Sequence, residues 1–335
     1  MINEETSSSP RRAGTGKAPV LKRLTVQIPG STANLGPGFD TLALALKIYT
    51  RLTFELLERN DVTVPLITLK GAIAGSLPSD KDNLIYRVLS NLWYDCPDLL
   101  QRVRITIESE IPLGRGLGSS GTAILGTIWA SYVLSDRIPD QARLLSEATQ
   151  IEGHPDNLAA SLMGGLVVSA RAATGRDIVT QKLAWPEHWR TLVVVPGYSL
   201  TTQKARSVLP RQVRLEDAVA NVQRVALLVS AVLNRDETAL SEALHDKLHE
   251  PYRAQLVPEL GSLRRRLAGL PVLGCTLSGA GSSVLVLVTE RHKAEVLDCL
   301  EKWAGAQPEP ASVLDLNVDA EGLQELPAAE DFAHG

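Results

Sequence analysis

The stretch IPLGRGLGSSGTA, residues 111–123, puts glycines at 114, 116 and 118 and serines at 119 and 120 in front of an apolar run. Upstream, VRITIES at 103–109 alternates apolar and polar residues with the period of a strand, and from Ser119 to Leu134 the pattern is that of a largely apolar helix. A strand that breaks into glycines and then into a helix leaves the first helical N–H groups unpaired, with the positive end of the helix dipole aimed at the loop. Such a loop is an anion site. Glycine permits positive φ and lets a phosphate reach the backbone, while Ser119 and Ser120 can add hydroxyl contacts or a ligand for magnesium.

Three kinds of loop compete for this stretch. A Walker loop needs Gly-Lys-Ser/Thr at its end, and none follows Gly118. GLGSSG, Gly116 to Gly121, matches the GxGxxG pattern of dinucleotide folds, with Asp140 at about the right distance for a ribose contact. Against that, Pro112, Gly114 and Arg115 separate the strand from the first glycine of the match, and no second parallel strand precedes Asp140. A ligand-free glycine turn is the third reading, and the surrounding chain decides against it.

Working outward, LTVQI at 24–28 reads as a strand stopping at Pro29-Gly30, and YTRLTFELL at 49–57 as another. DNLIYRVLSNLW at 82–93 spaces its apolar residues for an amphipathic helix capped by Asp82. Helices are expected at 140–151 and from HPDN to Met163, where Gly164-Gly165 turn the chain into the strand LVVSA. A continuous apolar strand, TLVVVPG at 191–197, opens a second half with a long helix at 215–233, helices near 237–249, 258–268 and 291–304, and the strand pair CTLSG and SVLVLV. Strands and helices mix without a regular beat, which predicts an α+β chain of two domains. The expected division is a disordered tail at 1–20, domains at 21–186 and 187–318, and a flexible tail at 319–335.

The chain has 335 residues, enough for two cores of about 150 residues each, and 44% of it is hydrophobic. A formal net charge of −4 argues against a nucleic-acid partner, which demands a basic excess. Cys96, Cys275 and Cys299 are odd in number and share no CxxC spacing, so neither a disulfide framework nor a zinc cage is expected and a cytoplasmic setting fits. No apolar run approaches the ~20 residues of a membrane span. GTGK near the N-terminus is followed by Ala18-Pro19 and is not a phosphate loop.

Taken whole, IPLGRGLGSSGT resembles the ATP-binding signature of the GHMP kinases, which phosphorylate small metabolites. IPGSTANLGPGFDTLALAL at 28–46 and LSGAGSSVLVLV at 277–288 agree with that family in order and spacing. Mevalonate-type members carry a lysine soon after the first Pro-Gly or Pro-Ala, but here Ser31-Thr32-Ala33-Asn34 takes that place, followed by GPGFD. With IEGHPDNLAASLMGG at 151–165, the chain is similar to the homoserine kinase branch of the superfamily, over about residues 22–316.

The resemblance implies a ribosomal-S5-domain-2-like N-terminal domain, a ferredoxin-like C-terminal domain and an active site between them. It implies transfer of phosphate from ATP to L-homoserine with Mg2+, in threonine biosynthesis, by a chain for which a homodimer is plausible. The alternatives are a relative acting on another small alcohol, or a nucleotide-binding sensor that has kept the fold without catalysis. Pro112, Leu113, Gly114, Arg115, Gly116, Leu117, Gly118, Ser119, Ser120, Gly121 and Thr122 would cradle the phosphates. Ser120 is the expected magnesium ligand from the loop, joined by a carboxylate, Glu152 first and Glu147 second. Asn34, Asp40, His154, Asn157, Thr202, Arg206 and Arg253 would surround the amino acid, with Asp40 on its ammonium and Arg206 and Arg253 on its carboxylate. Asp156 is a candidate general base or a helix cap, although a loose phosphoryl-transfer transition state does not require a base.

Two departures from the family pattern are visible: Gly30 where alanine is commoner, and Ser282 where proline usually follows Gly-Ala-Gly, which is expected to alter the loop near the phosphates. HDKLH at 245–249 sets two histidines at helical i, i+4 spacing but lacks the glutamate of a zinc motif, and it reads as a pair of surface histidines.

Overall fold

Two long antiparallel strands, β1 (Val20–Asn34) and β2 (Gly38–Leu57), form the spine of the first half. The computed structural model describes residues 17–175, 177–309 and 311–327. After β2 come β3 (Ile67–Lys70), α1 (Leu84–Leu92), α2 (Pro97–Arg102), β4 (Val103–Ser109), α3 (Ser119–Leu134), α4 (Gln141–Glu152), α5 (Asp156–Met163), β5 (Leu166–Arg171) and β6 (Ile178–Leu183). The second half runs β7 (Trp189–Val195), α6 (Thr202–Ser207), α7 (Leu215–Asn234), α8 (Glu237–Ala243), α9 (Glu250–Arg253), α10 (Pro258–Arg266), β8 (Val272–Leu277), β9 (Val284–Thr289), α11 (Lys293–Gly305), β10 (Ser312–Leu316) and β11 (Gln324–Leu326).

The first sheet has the order β11-β1-β2-β4-β3, with β5 on the early part of β2 and β6 beyond it; the second is an antiparallel β10-β7-β9-β8. One face of the first sheet packs on α1, α3, α4 and α5 around Val26, Leu52, Phe54, Ile105, Leu125 and Leu158. α3 is buried along most of its length, and a Cβ on its Gly126 would lie 2.7 Å from Leu52 and 2.9 Å from Ile28. That glycine lets the helix settle onto the spine. A second core joins the halves: Leu42, Leu44 and Leu46 of β2 meet Val193, Leu285 and Leu228. Each such leucine contributes about 1.5–3 kcal/mol by leaving water. A third core lies between the second sheet and α10 and α11.

Several sequence expectations change. β1 does not stop at Pro29-Gly30; the ladder to β2 shifts register between those residues, and a bulge tolerates the proline. Asn83, not Asp82, caps α1, its side chain accepting from Ile85 N at 2.9 Å. The flexible tail expected at 319–335 is fixed over 319–327. There Tyr49 Oη donates to Asp319 at 2.8 Å, Asp319 accepts from Gly322 N at 2.7 Å, and β11 pairs with Thr25–Gln27 of β1. The remainder of that tail and residues 1–16 lie outside the described residues. Among the described residues no helix is long and apolar enough to cross a membrane, and the three cysteines are unpaired.

Candidate active site

The glycine loop leaves β4 and enters α3 through three residues with positive φ, Gly114 (+65°), Gly116 (+76°) and Gly118 (+75°). Their second reason is space. A Cβ on Gly116 would collide with the Ser278 carbonyl of the β8–β9 turn, and one on Gly118 would lie 2.7 Å from Ser31 Oγ. The loop's carbonyls are held by protein: Gly114 O accepts from Leu200 N (2.9 Å), Gly116 O from Ser278 Oγ (2.7 Å) and Leu117 O from Ser31 N (3.1 Å). The first N–H groups of α3 have no intrahelical acceptor and open on a cleft between the two halves.

That cleft holds a cavity of about 120 Å³ lined by Gly114, Arg115, Gly116, Gly118, Ser119 and Ser120 on one side. Asn34, Asp40, Glu152, His154, Asp156, Asn157, Thr202, Arg206 and Arg253 complete it. Ser120 Oγ donates to Glu152 Oε2 at 2.8 Å, so a hydroxyl and a carboxylate from α3 and α4 meet beside the loop. Glu147 does not take part: it accepts from Tyr132 Oη and Arg143 Nε, both at 2.9 Å, away from the cleft. Leu117, Gly121 and Thr122 are turned into the core, Thr122 Oγ1 bonding Thr50 Oγ1 and Ser119 O. Pro112 does not line the cavity. Leu113 lines a neighbouring, mostly apolar cavity of about 290 Å³, with Ile73, Leu77, Pro78, Leu84 and Ile107, that shares Gly114, Ser119 and Ser120 with the first.

The opposite wall is made of side chains. Arg206 on α6 grips Asp40 with two hydrogen bonds, Nη2 to Oδ1 at 2.6 Å and Nη1 to Oδ2 at 3.0 Å. Burial works against the Arg206 charge, but Asp40 outweighs it and raises the guanidinium pKa. Arg253, buried, gives Nε to Ala205 O and Nη1 to Gly279 O, both 3.2 Å away. Burial first, then repulsion from Arg206, lowers its pKa to about 10, so it stays charged at neutral pH. Asn34 (φ +74°) and Asp40 (φ +55°) sit in the left-handed region, a strain concentrated at the turn that presents them. Asn34 donates to Gly279 O at 2.8 Å and accepts from Asp40 N at 3.1 Å.

His154 Nδ1 lies 2.7 Å from Asp156 Oδ1, which also accepts from Asn157 N at 2.8 Å. Burial disfavours the His154 charge, but the hydrogen bond and charge of Asp156, with Glu152 and Asp40 behind, prevail and raise its pKa above the ordinary imidazole value. The cap role considered for Asp156 is not what the structure shows: it is the first residue of α5, and its carboxylate holds His154. Asn157 is committed to Ser31, reaching its Oγ at 2.9 Å.

Residues 83–165 match the family model for the N-terminal domain of GHMP kinases, and 228–305 match that for the C-terminal domain. The chain is 34% identical over 297 residues to the homoserine kinase of Desulfitobacterium hafniense, covering 89% of this chain and 98% of the relative. It is 38% identical over 306 residues to that of Solibacter usitatus, covering 89% and 96%. This chain belongs to the homoserine kinase family of GHMP kinases. The crystal structure of homoserine kinase from Cytophaga hutchinsonii superposes with a TM-score of 0.78 at 25% identity, over 93% of this chain and all of that one.

As a homoserine kinase family member, the chain departs from the expected pattern without loss of the cleft. Ser282 is buried and donates to Tyr198 O at 2.8 Å, tying the β8–β9 turn to the segment after β7. A Cβ on Gly30 would come within 3.0 Å of Ile48 Cγ2 and 3.1 Å of Leu117 O, so glycine there permits tight packing under the loop.

Sequence reasoning missed Phe39, Asn221, Asp246 and His249. HDKLH is not helical, and His249 is fully buried, whereas His245 is exposed. The signal was the aspartate: Asp246 accepts from the backbone N–H of Leu248, His249 and Glu250, the local bonding by which an Asp breaks a helix and starts the next one.

Proposed function

We propose that the cleft transfers the γ-phosphoryl group of ATP to the hydroxyl of L-homoserine, the glycine loop holding the nucleotide and the side-chain wall the amino acid. The activity follows from membership of the homoserine kinase family; the division of roles rests on the geometry. The new bond joins the homoserine oxygen to phosphorus, the bond from phosphorus to the β-phosphate oxygen breaks with its electron pair left on ADP, and the hydroxyl proton is released to solvent. The products are O-phospho-L-homoserine and ADP.

The observation that carries this reading is the Asp40–Arg206 pair beside Arg253, three charges that complement an ammonium and a carboxylate. A zwitterion replaces that pair with two of its own, Asp40 to its ammonium and Arg206 with Arg253 to its carboxylate. Thr202, Asn34 and Asn157 border the same space, as does His154, whose proton affinity Asp156 raises. The nucleobase takes the larger apolar cavity beyond Ser119, from which the phosphates reach the N-terminus of α3.

Ser120 and Glu152 fit Mg2+, since both offer hard oxygen atoms at the mouth of the loop and such an ion completes its shell with phosphate oxygens and water. When bound, it neutralises phosphate charge. Positioning and charge neutralisation suffice for a loose transition state, and Asp156, already accepting two hydrogen bonds at Oδ1, is assigned to orienting His154.

The test is ADP release from MgATP with the purified chain against L-homoserine, mevalonate, galactose, shikimate and serine. Turnover with homoserine and not the others supports the reading. Nucleotide binding without turnover on any of them would favour the sensor alternative.

A further inference from the structure

His249 takes no part in the chemistry described above, yet it touches Arg253 and the turn that leads to Asp40. Its Nε2 lies 2.8 Å from Gly36 O and its Nδ1 3.2 Å from Arg253 Nη1, and its ring stacks on Phe39 at 5.1 Å between centroids. We propose that His249 is a positioning residue that fixes the orientation of Arg253, so that selection for a substrate carboxylate depends on an imidazole held in one tautomer. The inference rests on the assignment of Arg253 to that carboxylate.

The tautomer follows from the partners. Arg253 can only donate and the Gly36 carbonyl can only accept, so Nδ1 carries the lone pair and Nε2 the proton. Asp246 Oδ2, at 3.8 Å from Nε2, is out of hydrogen-bond range and does not compete. With Nε on Ala205 O and Nη1 shared between Gly279 O and His249, Arg253 keeps Nη2 for the cavity. A buried guanidinium with a missing acceptor swings toward whatever else can bond it.

The imidazole is itself anchored. His249 N donates to Asp246 Oδ2 at 2.7 Å, Asn221 Nδ2 donates to Asp246 Oδ1 at 2.9 Å, and the same Nδ2 reaches Pro37 O at 3.1 Å. Asn221, Asp246 and His249 therefore fix residues 36 and 37, from which the turn bearing Phe39 and Asp40 springs, and fix Arg253 in the same frame. Arg206 and Arg253 stand 5.4 and 5.2 Å from the Phe39 ring centre, so both guanidinium groups rest on the ring that His249 supports.

Two near-isosteric variants separate the two arms. His249→Asn keeps an acceptor where Nδ1 was, and His249→Gln keeps a donor where Nε2 was. The full chain is assayed with MgATP on L-homoserine and on 3-aminopropan-1-ol, the same molecule without its carboxylate. His249→Gln should raise the homoserine KM about tenfold or more, leave the ATP KM within about twofold and leave kcat/KM for the amino alcohol nearly unchanged. His249→Asn should hold the homoserine KM within about threefold of wild type. Equal losses in both variants, or an equal loss on both alcohols, would overturn the proposal and make His249 a packing residue. If the glutamine variant does not melt cooperatively, 15N spectra of the wild-type chain decide, since His249 must show a bare Nδ1 and a protonated Nε2; the other tautomer overturns it. A wild-type chain that turns over both alcohols equally removes the carboxylate assignment and the proposal together. One that prefers homoserine while His249→Gln behaves as wild type removes the proposal alone.

Discussion

The two walls of the cleft are built from different material. One is a contiguous loop, residues 114–120, whose useful groups are backbone N–H and two hydroxyls; the other gathers side chains from residues 34–40, 154–157 and 202–206 and from Arg253. The first takes its shape from glycines and lies against neighbours so closely that a single Cβ is too much. The second depends on charge and on a few long side chains held by buried partners. A backbone wall suits phosphate, which the nucleotide brings to every reaction of such an enzyme family, while a side-chain wall can be changed residue by residue to read one alcohol.

The largest expected effect breaks the first wall. Gly116→Ala forces a Cβ into the Ser278 carbonyl at a positive φ and should cost about 4 kcal/mol of stability, read as a large fall in Tm. Gly153→Ala, also at positive φ but with nothing within 4 Å, should cost only about 1 kcal/mol. Similar losses for the two would show that close approach is not what the loop's glycines provide. Next, Glu152→Gln should lower kcat about 100-fold and raise the Mg2+ concentration needed for half-maximal rate, with the homoserine KM little changed. An unaltered metal requirement would move the ion elsewhere.

On the second wall, Arg206→Ala should raise the homoserine KM about 30-fold, close to 2 kcal/mol, and leave the ATP KM within about twofold. Equal loss of both affinities would erase the distinction between the walls. The smallest effect concerns pH. Because Asp156 raises the His154 pKa, its contribution to stability is complete below the ordinary imidazole value of 6.5 and is lost as pH rises through the folded value. Asp156→Asn should therefore bring the rise of homoserine KM with pH to lower pH. A KM profile that does not move would remove His154 from substrate binding.

The contrast also explains what could be read from the chain before its structure. The loop and α3 were legible because strand, glycines, serines and apolar helix are consecutive, and local rules suffice for consecutive residues. The charged residues Asp40, His154, Arg206 and Arg253 came from family resemblance, since no spacing rule links positions over 200 residues apart. His249 escaped because HDKLH has helical spacing, and only the Asp246 side chain's capture of three N–H groups cancels that helix. β1 was cut short at Pro29 because a bulge that accommodates proline is set by the partner strand, not by the proline's neighbours.

The central claim, that one wall reads an amino acid while the other reads a nucleotide, is tested most directly by comparing kcat/KM for L-homoserine and 3-aminopropan-1-ol at saturating MgATP. The account predicts a loss of about 1,000-fold or more on removing the carboxylate, with the ATP KM unchanged. Equal kcat/KM for the two alcohols would contradict it.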